Sequence, residues 1–287
     1  MPELPEVEIT ARLLGEQLQG AVVESTLAPG MVALKSVKPP LETLIGVRVA
    51  TVGRRGKMPH VDFEAPSGGE PLSLLVHMMS AGRLQLFDKR ASLRDKRSRI
   101  LIRFEDGREL RLREFGTKQR AWGKLIETAA IGDEEMVATL GPEAWPAPDQ
   151  AVLAEILDQP RHLHPLLRDQ RTIAGIGRSW VDEILWEARL SPFKKGNDLT
   201  EDEVSRLHAA LPVLGNAIAF YEENVGPAVP DKMPMPLQVH RREGEPCPRC
   251  GTTIAAIHYS DHITCYCPEE QNEGRKFADR RLSRLLK

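Results

Sequence analysis

Between Ala21 and about Glu127 the chain consists of short runs in which apolar and polar residues alternate. Such alternation places successive side chains on opposite faces of a strand. Turn-forming residues separate the runs, among them Gly53, Gly56 and the Asp106-Gly107 pair. The runs predicted as strands are VRVATV, HVDFE, LSLLVHM, GRLQLF, RILIRFE and RELRLR. Several short strands in succession predict a β-sandwich or a β-barrel for this part of the chain.

Helical patterns flank the predicted strands. The N-terminal segment EVEITARLLGEQLQG has its apolar residues on one helical face and ends at Gly20. The proline-rich stretch Gly141–Gln150 predicts a linker or a helix entry. The rest of the chain to Asn224 is predicted to be helical, and Thr200 with Glu203 forms a capping box that opens one helix. The proline-rich segment Asn224–Pro236 predicts a loop. The predicted fold class is therefore α+β, with an N-terminal β-sandwich flanked by helices and a helical C-terminal half that ends in a short hairpin.

The charge is unevenly distributed along the 287 residues. A net charge of −2 and a pI near 6.5 argue weakly against a nucleic-acid partner, but distribution matters more than the sum. No apolar run is long enough to span a bilayer, and the acidic start lacks the pattern of a signal peptide, so we expect a cytoplasmic enzyme. Cations crowd into four stretches, which are Val52–Lys57, Asp88–Arg99, Arg108–Lys124 and Gly274–Lys287.

All 4 cysteines fall between Cys247 and Cys267. Such clustering in a cytosolic chain indicates a metal site rather than disulfide bonds. The spacing of Cys247 and Cys250, followed by glycine, is that of a zinc knuckle.

The chain begins MPELPEVE, which places Pro2 directly behind the initiator methionine. Removal of the methionine would expose a secondary amine. An α-amino group titrates near ~8, so a large fraction is uncharged and nucleophilic at cellular pH. Such an amine attacks an aldehyde-like carbon to form an iminium, and Glu3 beside it could transfer the protons. The structural alternative is that Pro2 merely leads into a helix.

Four segments, in order, resemble the formamidopyrimidine-DNA glycosylase and endonuclease VIII family of base-excision repair enzymes, and the first resembles the formamidopyrimidine branch more closely. The segments are MPELPEVE, GRRGK ending at Lys57, DQRTIAGIGRSWVDEILWEARLSP, and LQVHRREGEPCPRCGTTI. The resemblance implies three domains: a catalytic β-sandwich at 1–130, a helix–two-turn–helix domain at 131–236, and a zinc finger with a basic tail at 237–287. It also implies a monomer that works at the nucleoid on double-stranded DNA containing damaged bases or abasic sites, with one structural zinc ion.

Residue roles follow from the same resemblance. Pro2 is expected to attack C1′ of the damaged nucleotide, Glu3 to transfer protons, and Lys57 to contact the lesion or its phosphate. Glu6 is expected to help order the site, although a first-turn acid is also favoured by the helix dipole. The DNA is expected to lie between the two halves of the chain. The phosphate-contacting residues expected from the helix–two-turn–helix segment are Arg171, Gly175, Gly177 and Arg178.

The finger departs from the family pattern at two places. Cys267 matches the third ligand, but Glu270 stands where a fourth cysteine is usual. Because a closed zinc site prefers thiolates, Cys265 is predicted as the fourth ligand, with Glu270, His258 and His262 as alternatives. His262 also replaces the arginine that binds phosphates beside the lesion, which predicts that β-elimination dominates over β,δ-elimination.

The positions that face the lesion also differ. Met79 is predicted as the residue that wedges into the duplex, in competition with Met78 and Ser80. Lys118 and Arg120, or alternatively Trp122, are predicted to fill the gap left by the extruded base.

Three alternatives to an oxidised-base glycosylase remain open at this point. The chain could be a lesion sensor of the same fold that has lost catalysis, which would bind DNA but trap no adduct. It could be a glycosylase for bulky or crosslinked bases. It could also be an unrelated zinc-finger hydrolase or transcription-linked factor, in which case methionine would be retained at the N-terminus.

Overall fold

The computed structural model of the chain describes residues 2–29, 32–92, 95–260 and 262–277. Met1 and most of the predicted basic tail lie outside these residues. The helices are α1 (Leu4–Leu18), α2 (Glu135–Ala138), α3 (Gln150–Leu157), α4 (Leu163–Arg168), α5 (Arg178–Glu187), α6 (Glu201–Ala210), α7 (Val213–Asn224) and α8 (Pro268–Asn272). The strands are β1 (Val23–Leu27), β2 (Val49–Arg55), β3 (Met58–Phe63), β4 (Leu72–His77), β5 (Gly82–Phe87), β6 (Ser98–Phe104), β7 (Glu109–Glu114), β8 (Trp122–Glu127), β9 (Ala255–His258) and β10 (Ile263–Tyr266).

Two antiparallel sheets of four strands build the predicted β-sandwich, with strand orders β1-β6-β7-β5 and β2-β3-β4-β8. Their apolar side chains and those of α1 form one core, to which Val7, Phe63, Leu74 and Phe104 belong. All six predicted strands exist. The sequence analysis did not single out β1 and β8, which both lie at sheet edges, where one side of the strand lacks a paired neighbour.

Helix α1 begins at Leu4, two residues before the predicted helical segment. Proline lies in its first turn, where a missing N–H costs nothing, and the helix buries one apolar face against the sandwich core. The chain leaves the helix through Gly20, whose φ of +77° lies in the left-handed region. This placement fixes residues 2–6 at the N-terminal end of a well-packed helix.

The chain forms two compact units, which divide it differently from the three predicted domains. Unit 1 contains Met1–Thr139 and Ile218–Pro234, and unit 2 contains Leu140–Ala217 and Met235–Lys287. The predicted loop therefore belongs largely to the sandwich unit. The cysteine-bearing hairpin belongs to the helical unit and is not separate from it.

Unit 2 contains α5, which buries two acidic residues, Asp182 and Glu183. Glu183 accepts three backbone hydrogen bonds, from Gln238, Val239 and His240, at 2.8–2.9 Å. Burial raises the pKa of Glu183 above its ordinary value even though these N–H groups favour the carboxylate. The contact anchors the segment before the finger to α5.

The predicted capping box is present. Thr200 Oγ1 accepts a hydrogen bond from the Glu203 N–H, and Glu203 Oε2 accepts one from the Thr200 N–H. The helix that it opens ends at Ala210, and a second helix, α7, starts at Val213. Pro212 between them lacks the N–H that a continuous helix needs.

Candidate functional site

The first turn of α1 holds Glu3 and Glu6 in a fixed arrangement. The Glu3 backbone N–H donates to Glu6 Oε2 at 2.8 Å, and both residues are buried, as is Pro2. A carboxylate at this end of a helix is favoured by the helix dipole. The residue after a trimmed methionine would thus sit at a rigid position beside two carboxylates.

Tyr221, which lies far from Glu6 in the sequence, also forms a hydrogen bond with it. Its hydroxyl donates to Glu6 Oε1 at 2.7 Å, in a fully buried contact. Burial, followed by the charges of Glu6 and Glu3, raises the pKa of Tyr221 above its ordinary value, so it remains a donor. The sequence analysis missed Tyr221, because a tyrosine within a helical run is indistinguishable from a core residue.

Lys57 lies in the two-residue turn between β2 and β3, where Arg55 pairs with Met58. Gly56 in that turn has a φ of +54°, which favours glycine. Arg54 donates to Gly56 O at 3.3 Å and also pairs with Glu8 of α1 at 2.7 Å. The guanidinium therefore links the turn that carries Lys57 to the helix that carries Glu3 and Glu6.

The ion pairs around Glu8 change the pKa of its carboxyl group. Burial alone would raise the pKa of Glu8, but hydrogen bonds from Arg12 and Arg54 lower it below its ordinary value. The carboxylate is therefore charged at neutral pH, and the link between α1 and the β2–β3 turn is an ion pair.

His77, at the end of β4, lies near Lys57. Burial lowers the pKa of His77, and the charge of Lys57 lowers it further. The His77 ring stacks on Trp122 with centroids 5.5 Å apart. Since the imidazole is neutral, His77 Nδ1 accepts the Met79 N–H at 3.1 Å.

Met79 occupies the turn after β4 with a φ of +50°, which is unusual for a residue with a side chain. Met78 is buried in the sandwich core, whereas Met79 is half-buried and Ser80 is exposed. This pattern is compatible with the predicted wedge role of Met79 and excludes Met78, whose side chain contributes to packing.

An arginine and a phenylalanine lie beside the Met79 turn, earlier in the chain than the sequence analysis placed the gap-filling pair. Phe115 N–H donates to Ala81 O at 3.1 Å, and the Arg113 guanidinium lies 4.8 Å from the Phe115 ring centre. Lys118 and Arg120 are exposed on the following loop. The sequence feature that could have pointed to this pair is the Arg-Glu-Phe-Gly run at the end of β7.

Trp122, the alternative residue predicted to fill the gap, is the first residue of strand β8. Trp122 pairs with His77 in the β4–β8 ladder and stacks on it, which fixes the indole to the sheet. The alternative that Trp122 fills the gap stays a prediction.

The glycines predicted to bind phosphate are partly used by the protein itself. Gly175 has a φ of +101°, and its N–H donates to Gln170 Oε1 at 3.0 Å. Gly175 was predicted to contact phosphate, but in this structure its amide is bonded within the protein. Gly177 caps α5 and is buried, while Arg171 and Arg178 are exposed. The two arginines retain the predicted ability to contact phosphate.

Three cysteines form one metal-compatible group. The sulfur atoms of Cys247, Cys250 and Cys267 all lie within 4.8 Å of one another. Trp186 Nε1 donates to Cys247 Sγ at 3.4 Å, and Cys250 and Cys267 sulfurs are 3.4 Å apart. Three thiol donors at knuckle spacing fit a zinc ion.

Cys265 does not join this group, contrary to the prediction. Its sulfur accepts the Arg241 N–H at 3.2 Å and lies with Asp182 and His240 in a second cluster. Glu270, at the family's fourth position, pairs with Arg189 at 3.0 Å. Within the described residues, no fourth Cys, His, Asp or Glu donor lies within 4.8 Å of the three thiols.

His262 stands at the tip of the finger hairpin. Its ring stacks between Tyr259, at 4.4 Å, and His164, at 5.7 Å, with interplanar angles of 5° and 9°. His258, the remaining histidine proposed as a ligand, pairs with Glu243 at 2.8 Å. Neither histidine belongs to the three-cysteine group.

The histidine stack borders a pocket of about 450 Å³ between α4 and the hairpin. Arg168 also lines this pocket, which gives it a cationic wall.

Across the described residues, no helix combines the length and the apolar composition that crossing a membrane requires.

Comparisons with known proteins agree with this geometry. The family model described as formamidopyrimidine-DNA glycosylase N-terminal domain matches residues 1–136, and the model of that enzyme's H2TH domain matches residues 140–226. A formamidopyrimidine-DNA glycosylase from Roseiflexus sp. strain RS-1 is 35% identical over 94% of this chain and 100% of the relative. One from Exiguobacterium sibiricum is 33% identical over 93% and 98%.

Solved structures give the same result. The Lactococcus lactis Fpg in complex with DNA containing N7-benzyl-Fapy-dG has a TM-score of 0.83 and 28% identity, covering 94% of this chain and 100% of that one. A complex of the same enzyme with abasic-site DNA has a TM-score of 0.82, again at 28% identity, with 94% and 99% covered. The chain belongs to the formamidopyrimidine-DNA glycosylase family.

Proposed function

We propose that this chain removes oxidised purine bases from duplex DNA through a Schiff base on Pro2 and then nicks the strand by elimination. It is a DNA glycosylase of base-excision repair, and its partner is DNA that contains lesions or abasic sites. The observation that carries the catalytic assignment is the buried first turn of α1, in which the Glu3 N–H and Tyr221 hold the Glu6 carboxylate next to Pro2. We expect the enzyme to act at the nucleoid.

The chemistry assigned to Pro2 balances without an external oxidant or reductant. Its secondary amine attacks C1′ of the extruded nucleotide, the N–C1′ bond forms, and the bond to the damaged base breaks. Glu3 transfers the protons that open the sugar ring. The resulting iminium acidifies the C2′ hydrogens, so removal of one of them expels the 3′-phosphate by β-elimination.

Lys57 is assigned a role beside this carbon. It lies on a short turn linked to α1 through Arg54 and Glu8, so its ammonium is held on the same framework as Pro2. Burial and the charge of Lys57 lower the pKa of His77, which keeps the imidazole neutral, and the positive charge of Lys57 favours a phosphate.

Met79, Arg113 and Phe115 are proposed to occupy the space that the damaged nucleotide leaves. Their two loops are joined by the hydrogen bond from Phe115 to Ala81. An apolar wedge and an aromatic ring on one rigid support compensate for lost base stacking. In this proposal Arg113, near the end of β7, and Phe115, just after it, take the role predicted for Lys118 and Arg120.

The metal is proposed to be zinc in a structural role. Cys247, Cys250 and Cys267 would supply three thiolates, and Glu270 would supply the fourth donor after leaving its ion pair with Arg189. A bound zinc ion would hold the hairpin together, as it does in other small modules with little core of their own.

Borohydride trapping tests the nucleophile directly. The protein with a trimmed N-terminus is incubated with duplexes that carry an oxidised purine, an oxidised pyrimidine or an abasic site, and the adduct is mapped by mass spectrometry. The expected result is a covalent adduct on Pro2, strongest for the oxidised purine and the abasic site.

Two variants serve as a matched pair in this assay. Pro2→Gly should lose lyase activity, whereas Pro5→Ala, three residues further on, should retain the Pro2 adduct. Normal DNA binding without an adduct would instead select the lesion-sensor alternative. A preference for a crosslinked base over every oxidised base would instead select the glycosylase for bulky or crosslinked bases.

A further inference from the structure

A second cluster of metal-ligating side chains lies in unit 2, separate from the three-cysteine group. Asp182 of α5, His240 before the finger and Cys265 of β10 each offer one ligand atom, and these atoms lie within 4.8 Å of one another. All three residues are at most 4% exposed. Burying a carboxylate and a thiol together is costly unless a cation or hydrogen bonds compensate.

The sulfur of Cys265 faces two backbone amides, as the knuckle sulfur of Cys247 does. The Cys265 sulfur accepts hydrogen bonds from the backbone of Arg241 and Arg242. The Cys247 sulfur accepts an equivalent pair, from Arg249 and Cys250.

The turn that provides these amides is conformationally unusual. Arg241 has a φ of +61°, in the left-handed region that residues with a side chain rarely adopt. Such conformations persist where surrounding structure imposes them, and they cluster at ligand sites. The same turn brings His240 to Asp182, with a distance of 2.7 Å between Nδ1 and Oδ2.

Asp182 leaves one oxygen available. Its Oδ2 accepts from His240 and from the Cys265 N–H at 3.0 Å, whereas Oδ1 is buried and has no hydrogen-bond partner within the described chain. The side chain that faces this oxygen is His164 of α4, whose Nε2 lies 3.2 Å from Asp182 Oδ1. Nitrogen and oxygen ligands of a tetrahedral zinc ion stand roughly 3.3 Å apart, since each lies about 2.0 Å from the metal.

We propose that Asp182, His240 and Cys265 bind a second zinc ion. One oxygen, one imidazole nitrogen and one sulfur suit zinc, whereas magnesium and calcium require mainly oxygen ligands. The 2.7 Å contact between His240 and Asp182 is shorter than that ligand spacing, so the imidazole moves by about half an ångström when the metal binds. The ion would join α5, the segment that carries His240 and strand β10, and the site does not depend on the chemistry assigned to Pro2.

Zinc content per chain tests the proposal in the full-length protein. Cys265→Ser and Cys250→Ser form a matched pair, because each replaces one sulfur with an oxygen that binds zinc poorly. Wild type is expected to hold two zinc ions, Cys265→Ser to hold one fewer, and folded Cys250→Ser to retain one. A Cys265→Ser protein with the wild-type zinc content would overturn the proposal.

X-ray absorption at the zinc edge of the wild-type protein requires no variant, and so remains decisive if a substitution prevents folding. Two sites with three and one sulfur ligands give an average of about two sulfurs per zinc, with a clear imidazole contribution. An average of three or more sulfurs without imidazole would mean that only the knuckle is loaded, and that Asp182 is held by hydrogen bonds alone.

Discussion

The hydroxyl of Tyr221 donates a 2.7 Å hydrogen bond to Glu6 Oε1, and the other oxygen of Glu6 accepts the Glu3 N–H. Residues more than two hundred positions apart thus share one buried carboxylate. The contact explains why the segment Ile218–Pro234 belongs to the same unit as the sandwich. It also makes Tyr221 the clearest positioning residue for the N-terminal turn.

Tyr221→Phe is expected to lower both stability and trapping rate. Removal of the hydroxyl deletes a buried hydrogen bond to the Glu6 carboxylate, which costs about 1–3 kcal/mol. Thermal unfolding and the single-turnover rate of borohydride trapping measure the two effects. Tyr259→Phe, which removes an exposed hydroxyl in unit 2, serves as the control. Equal trapping rates in both variants would contradict a positioning role.

The ion pair between Glu8 and Arg54 predicts a pH-dependent stability. The folded pKa of Glu8 lies below its ordinary value of 4.5, so its contribution is complete above about pH 4.5 and is lost as the pH falls through the folded pKa. Glu8→Gln should therefore lower the melting temperature at pH 7, and the difference from wild type should shrink below about pH 4. The exposed Glu16 on the same helix provides the control variant, Glu16→Gln. A difference that stays constant with pH would refute the argument.

Gly82→Ala is expected to disturb the Met79 turn. A Cβ at this position would lie 2.3 Å from the Met78 backbone oxygen, so the turn has to move. We expect a loss of about 1–3 kcal/mol in stability, together with weaker binding to abasic-site DNA. Gly132→Ala, where a Cβ meets nothing within 4 Å, is the matched control. Unchanged binding by folded Gly82→Ala would remove Met79 from the DNA interface.

Glu270→Cys is expected to slow zinc release from the finger. It restores a fourth thiolate at the position where Glu270 now pairs with Arg189. Release to a colorimetric chelator should be slower than in wild type and faster in Glu270→Gln, which lacks the carboxylate. Measurement in a Cys265→Ser background isolates the knuckle from the second site. Identical release rates for all three proteins would show that position 270 is not a ligand.

His262→Arg is expected to strengthen the phosphate contact of the finger and to raise the share of δ-elimination product. Arginine carries a permanent charge, so the dependence of binding on log salt should steepen by about one unit. His258→Arg, which changes the same residue type within the hairpin, is the control. If the product ratio and salt slope match those of wild type, the tip of the hairpin lies away from the phosphates.

The main lines of the fold were predictable from local patterns. The alternating runs identify six strands, because the period of two is a local property of the backbone. The capping box at Thr200 and the end of α1 before Gly20 are equally local. The family is also predictable, since MPELPEVE, Lys57 on its glycine turn and the paired Cys247 and Cys250 are short contiguous motifs.

Contacts between distant segments required the tertiary structure. Cys265 and Cys267 are two positions apart, yet their sulfurs belong to different clusters, because Arg241 and Asp182 hold the first and the knuckle holds the second. The link from Tyr221 to Glu6 also leaves no trace in sequence spacing. Local motifs determine which chemistry the chain can perform, whereas packing decides which side chains meet, since burial and hydrogen bonding act between segments that the sequence separates.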